Sequence, residues 1–241
     1  MFELILAASA TAVATGIGVI PVILMGSRAA VLRPFLLGVS GGVMVVAAVA
    51  GLIKPALDRG SVAQVSVGIL AGVVFLFAAR LLISRGNAKQ HRLDARGTSI
   101  LVFLVLFVHS LPEGFAVGTA YAEDPATIGL FIVLAISIQN IPEGTSIAIP
   151  MAAEGASATR QVTAAILSSA PQPVGAVIAF LLVESIVGLL PISFGFAAGA
   201  MIMLAAIELF PQAARSSRSM AMTGALAGAA VMLALDLLLQ V

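Results

Sequence analysis

The chain has 241 residues, of which 61% are hydrophobic and 10% charged, with a net charge of +1 and a mean hydropathy of +1.16. That balance excludes a water-soluble globular domain, and so small a net charge gives no footing for a nucleic-acid or strongly acidic partner. Cysteine is absent, which removes disulfides and thiolate metal sites, so any metal ligands must be nitrogen or oxygen.

Lipid satisfies no backbone hydrogen bond, so apolar runs of twenty or more residues predict helices; barrel strands would instead alternate over about ten residues. Eight runs are predicted, near 3–26, 32–57, 61–84, 98–122, 126–153, 160–188, 191–214 and 219–240. Their connections are short, which makes residues 1–241 a single transmembrane domain of all-α class. The first run carries Glu3 and no basic leader, so it reads as a retained helix rather than a secretory signal. Gly38 to Gly42, Gly68 to Gly72, Gly195 to Gly199 and Gly224 to Gly228 read as faces for close helix packing.

The longest polar stretch, Arg85 to Thr98, separates the third and fourth runs and holds Lys89, His91, Arg92, Asp94 and Arg96. Connections after the odd-numbered runs carry Arg28, Arg33, Arg85, Lys89, Arg92, Arg96, Arg160, Arg215 and Arg218, whereas the others carry only Lys54 and Arg59. This bias predicts an integral membrane protein with both termini on the outer, non-cytoplasmic side. Arg80, a turn from the inner end of the third helix, reads as a side chain that snorkels to the headgroups.

The chemistry is concentrated in a repeat. The fourth run holds His109-Ser110-Leu111-Pro112-Glu113-Gly114 and the fifth holds Gln139-Asn140-Ile141-Pro142-Glu143-Gly144. Consecutive helices run antiparallel, so two copies of one motif at matching depth suggest a two-fold axis in the membrane plane. His109 and Glu113 are four residues apart and share a helix face, as do Gln139 and Glu143. Four nitrogen and oxygen ligands can therefore converge. Each carboxylate at mid-membrane costs on the order of 2.5–3.5 kcal/mol, which a divalent cation offsets. Imidazole with carboxylate and amide oxygen suits borderline first-row metals. A lone His would more often hydrogen-bond between helices; the duplicated Pro-Glu-Gly favours ligation. For Gln139, Asn140 and Ser110, interhelical hydrogen bonding and ligation compete.

These motifs resemble those of the ZIP (Zrt/Irt-like) transporters, and Gln139-Asn140 resembles the GufA-like bacterial branch. The resemblance implies an eight-helix fold in a 3+2+3 inverted-repeat arrangement, helices four and five central, with His109, Glu113, Gln139 and Glu143 as the primary metal site. A second, adjacent site in some relatives would map here to Ser110, Asn140, the two glutamates and Gln172. Ser110 stands where Asn is usual and Gln172 where Glu is expected. One well-formed metal site follows, with Asn140 and Gln172 as marginal ligands. Relatives with a His-rich loop between helices three and four find only His91 as a counterpart here. Such relatives often form homodimers, which the glycine-rich faces permit.

Ser110, Glu208, Asp58 and Asp236 are expected along a transport pathway: Asp58 and Asp236 near the outer ends of helices two and eight, Glu208 in the inner half of helix seven. Glu123 and Asp124 either join that entrance or are ordinary loop acids. The expected function is movement of Zn²⁺, or a similar divalent ion such as Fe²⁺, Mn²⁺, Cd²⁺ or Co²⁺, into the cytoplasm by alternating access. The metal is then the substrate and no organic cofactor is expected; no phosphate-binding loop of a pump is present. The competing readings are a transport-silent metal-binding scaffold or sensor and an intramembrane metal hydrolase, the latter disfavoured because His-Glu-x-x-His is missing.

Overall fold

The computed structural model describes residues 1–87, 95–186 and 188–241. Lys89, His91, Arg92 and Asp94 lie outside the described residues, and with them the expectation for a His91 loop. Among the described residues, eight helices are long and apolar enough to cross a bilayer: α1 (Phe2–Met25), α2 (Arg28–Arg59), α3 (Val62–Ile83), α4 (Val102–Glu123), α5 (Pro125–Ala153), α6 (Ala158–Ser185), α7 (Leu190–Ser216) and α8 (Arg218–Leu239). The predicted segments match them to within a few residues. Large apolar side chains such as Phe2, Leu24, Val62, Leu82, Leu237 and Leu238 stand exposed on the periphery, as a hydrocarbon solvent allows and water does not.

Two helices read as continuous are broken. The first runs Phe2–Ile17 and resumes as Ile20–Met25; the sixth runs Ala158–Ser168 and resumes as Pro171–Ser185. Pro21 and Pro171 sit at the start of each second piece, where the missing proline N–H costs nothing because no helical acceptor precedes it. In α2 and α7 the helix widens to π geometry over Ala47–Ile53 and Ala205–Leu209. Pro55 and Pro211 follow immediately, and a residue that cannot donate to the preceding turn is a ready cause of a wider register.

The helices pack in four main pairs: α2 with α8, α3 with α7, α4 with α6, and α1 with α5. Exchanging α1, α2, α3 and α4 for α6, α7, α8 and α5 turns every pair into another pair. The same exchange maps the break in α1 onto the break in α6 and the π segment of α2 onto that of α7. Because exchanged helices traverse the bundle in opposite directions, this is an inverted repeat. The two sets of three interleave in space: α1 and α6 join α4 and α5 in one group, while α2, α3, α7 and α8 form the other. Between the groups lies an apolar interior that includes Met44, Leu76, Phe131, Ile132, Phe194 and Met201. The glycine faces meet as expected: Gly68 and Gly72 lie against the backbone of α7, and Gly195 and Gly199 against that of α3.

Candidate metal centre

α4 brings His109 and Glu113 to its inner face, and α5 does the same for Gln139, Asn140 and Glu143; all five are buried. Close approach of the backbones makes this geometry available. A Cβ on Gly144 would collide with the Thr15 carbonyl oxygen of α1, and one on Gly114 with the Gln172 carbonyl oxygen of α6. Only glycine lets α1 and α6 draw in against the two motif helices at this level.

Glu113 is the hub. Its Oε1 accepts from Gln139 Nε2 at 2.6 Å and its Oε2 from Gln172 Nε2 at 2.7 Å. Gln172 Oε1 in turn accepts from Thr11 Oγ1 at 2.7 Å and Asn140 Nδ2 at 3.2 Å. The Asn140 amide also donates to the Thr11 carbonyl at 2.7 Å. Two neutral amides from two helices thus satisfy one buried carboxylate, a placement that offsets much of its desolvation.

The remaining atoms point the other way. Six buried side-chain polar atoms among the described residues have no hydrogen-bond partner, and three of them are His109 Nδ1, Gln139 Oε1 and Glu143 Oε1. All three can offer a lone pair, so half of the unsatisfied capacity falls on three of the four predicted ligands. Buried acceptors left without donors are costly, and a cation is the partner that fits an acceptor-only set. The side chains nevertheless form no preset cage of His, Asp and Glu: among the described residues no three such groups could hold an ion together. Gln139, the fourth predicted ligand, lies outside that set of residue types, and both oxygens of Glu113 are engaged by amides.

Asn140 and Gln172, expected as marginal ligands, are both fully buried and tied into the network on Glu113 and Thr11. Ser110 turns its hydroxyl to the carbonyls of Leu106 and Ser168, both at 3.0 Å, joining α4 to α6 instead of facing the centre. Asp58 lines a 220 Å³ surface pocket with Lys54, Arg59, Glu123 and Asp124, at the end of the bundle away from Arg33 and Arg80. Glu123 pairs there with Arg59. Asp124 caps the start of α5, accepting from Ala126 N at 3.0 Å and Thr127 N at 3.2 Å; its hydrogen bonds, that of the Thr127 side chain first, hold its carboxyl below the ordinary range. Asp236 keeps Oδ1 buried without a partner near the same end.

A cavity of 380 Å³ approaches the centre from the opposite end, its lining including Arg33, Arg80, Glu208, Gln212, Ser146 and Glu143. Glu208 therefore shares a space with Glu143, and it forms an ion pair with Arg80 at 3.6 Å. Sequence reasoning missed Thr11 and Thr15 of α1, which donate to or share hydrogen bonds with Gln172 and Ser169 of α6. Their four-residue spacing within an apolar helix was the available signal.

The family model described as ZIP Zinc transporter matches residues 84–236. A putative zinc transporter of Arabidopsis thaliana is 34% identical over 212 residues, covering 85% of this chain but 33% of that protein, so the chain spans about a third of its length. The zinc transporter GufA of Myxococcus xanthus is 31% identical, covering 72% of this chain and 70% of its own length. The zinc transporter ZIPB of Bordetella bronchiseptica is 30% identical, covering 96% of this chain and 80% of its own.

Proposed function

Because the chain belongs to the ZIP zinc transporter family, we propose that it carries a divalent transition metal, Zn²⁺ first among them, across the bacterial inner membrane into the cytoplasm. The observation that carries this reading is the set of buried, unpartnered acceptors His109 Nδ1, Gln139 Oε1 and Glu143 Oε1 beside the carboxylate of Glu113. Nitrogen and oxygen donors in that mixture favour Zn²⁺ and its first-row neighbours over Mg²⁺, which prefers an all-oxygen shell with retained water.

In the proposed mechanism His109, Glu113, Gln139 and Glu143 bind one ion. The amide of Gln139 rotates off Glu113 as the ion arrives, while Gln172 stays on Oε2 and holds that carboxylate in place. The ion leaves along the cavity that ends at Glu143 and is lined by Glu208. Positive residues collect at that end, which supports its assignment to the cytoplasm and leaves both termini outside. Alternating access follows from the division of the bundle: α1, α4, α5 and α6 carry the polar residues of the centre and move as a body against α2, α3, α7 and α8. Asp58 and Asp236 stand at the opposite, entry end, where acids raise the local concentration of cations.

The test is zinc uptake into liposomes containing the purified chain, with an ion panel of Zn²⁺, Cd²⁺, Fe²⁺, Mn²⁺ and Co²⁺ and with Glu143→Ala alongside. Uptake that vanishes in the variant is the expected result. Equal flux in both would remove the site.

A further inference from the structure

The cavity that leads from Glu143 has an unexpected wall for a cation route: two of its lining residues are arginines. Arg80 pairs through Nε with Glu208 Oε1 at 3.6 Å. Arg33 donates to Gln212 Oε1 at 3.3 Å, and among the described residues no carboxylate forms an ion pair with it. Apart from Ser146 and Glu143 at its inner end, the rest of the lining, Leu37, Ile83, Val102, Val105, Leu106, Leu204 and Leu209, is apolar. A departing divalent ion therefore meets one carboxylate and two guanidiniums in a poorly screened space.

Without Arg80, Glu208 would be a second anionic well a short step from Glu143. A dication would linger there, and cytoplasmic dications would enter to occupy it. The Arg80–Glu208 pair rests on a contact at 3.6 Å, with Arg80 47% and Glu208 12% exposed, well beyond the roughly 2.7–2.9 Å of a charge-assisted hydrogen bond, so a competing cation can displace the guanidinium. Arg33 adds a fixed positive charge to the same wall. Like charge at a mouth lowers the local concentration of the ion that it repels.

We propose that Arg80 is a release-side specificity residue. By occupying Glu208 it keeps this carboxylate from trapping metal, so that the inward-facing centre holds its ion weakly and gives it up. Glu208 is shared transiently between the guanidinium and the passing ion, and Arg33 supports the same bias. The inference rests on the transport reading, and it makes Arg80 a positioning residue that acts through Glu208.

The experiment uses liposomes containing the full chain, with zinc added outside and zinc preloaded inside at graded concentrations. Lumenal zinc slows uptake by reoccupying the centre, and its half-inhibitory concentration reads the inner-side affinity. Arg80→Gln is expected to lower that concentration by about 5- to 10-fold, within the range typical of coupling between two sites, with the outer half-saturation unchanged. Arg80→Lys should restore the wild-type value, and Arg80→Gln combined with Glu208→Gln should erase the effect. An Arg80→Gln protein with normal inner-side inhibition overturns the proposal, as does an effect that persists in the double variant. A second readout is independent of flux: equilibrium dialysis against zinc of Arg80→Gln in a Glu143→Ala background, where a Glu208-dependent bound ion is expected and its absence counts against the proposal. Absence of uptake by the wild type together with retained Glu208-dependent binding would sink the transport reading and leave this electrostatic coupling standing.

Discussion

Gln172 of α6 donates its amide to Glu113 of α4 at 2.7 Å, and the same side chain accepts from Thr11 of α1 at 2.7 Å. One neutral residue thereby connects three helices at the level of the centre and satisfies one oxygen of a buried carboxylate. Replacing it by Glu reverses the sign of that contact: Glu113 loses a donor and gains a second negative charge at hydrogen-bond distance. Losing a hydrogen bond to a charged group costs on the order of 1.5–3 kcal/mol, and the like charge adds to it. Gln172→Glu is therefore expected to lower the melting temperature in chelator and to bind two zinc ions per chain where the wild type binds one. Metal analysis after dialysis reads the stoichiometry; a variant that still holds one ion and melts like the wild type would contradict this account of Gln172.

How legible this was in the sequence depends on what kind of physics fixed each feature. The eight spans were readable because lipid forces every backbone group into local hydrogen bonds, so length and hydropathy suffice. The motif pair was readable because His109/Glu113 and Gln139/Glu143 repeat a costly pattern at helical spacing. The pairing of α1 with α5 and α6 with α4 was not readable. It depends on where glycines such as Gly114 and Gly144 let backbones touch, and no local rule matches a small residue on one helix to a carbonyl on another. The role of Thr11 escaped for the same reason, since its partners Gln172 and Asn140 lie far along the chain. Arg80 was read as a side chain reaching for headgroups, and it faces a carboxylate from α7.

Gly144 offers a test of that close approach. An added Cβ would run into the Thr15 carbonyl oxygen, which belongs to backbone and cannot swing aside. In an open helix Gly→Ala gains about 1 kcal/mol of helical propensity, whereas overpacking costs typically 1–3 kcal/mol. Gly144→Ala is expected to be destabilising on balance, by at least about 1 kcal/mol in detergent unfolding, with transport falling further because α1 is pushed off α5. A stabilised variant would mean that the two helices separate without penalty.

Asp124 gives a pH dependence that can be isolated at the surface. Its carboxylate caps the start of α5 through Ala126 N and Thr127 N, and these bonds, with that of the Thr127 side chain, hold its carboxyl below the ordinary value. A depressed acid contributes stability that is complete above the unfolded value, near pH 4, and lost as pH falls through the folded one. Asp124→Ala should cost about 1 kcal/mol at neutral pH, with the difference from wild type shrinking as the medium is acidified. Asp124→Asn keeps the acceptor and removes the titration, so its deficit should be small and flat with pH. Melting curves of the three proteins, taken from neutral pH down through the unfolded value near pH 4 and below it, decide the matter.

The unpartnered acceptors of the centre predict the effect of metal on stability. His109 Nδ1, Gln139 Oε1 and Glu143 Oε1 are buried without donors, so an ion that binds them stabilises only the folded arrangement that brings them together. At a free concentration one hundred times the dissociation constant, binding of one ion adds about 2.7 kcal/mol. Zinc should therefore raise the melting temperature of the wild type, and chelator should reverse the rise. Glu143→Gln removes a charge but preserves shape and packing, and it relieves repulsion with Glu113; its metal-free protein should melt at or above the wild type. Its response to zinc should be largely lost. His109→Ala should lose the response too, but from a lower starting point, because truncating a buried imidazole leaves a void. If both variants were stabilised by zinc as strongly as the wild type, the ion would be binding elsewhere, and the orphaned atoms would have to be accounted for by ordered water between the helices.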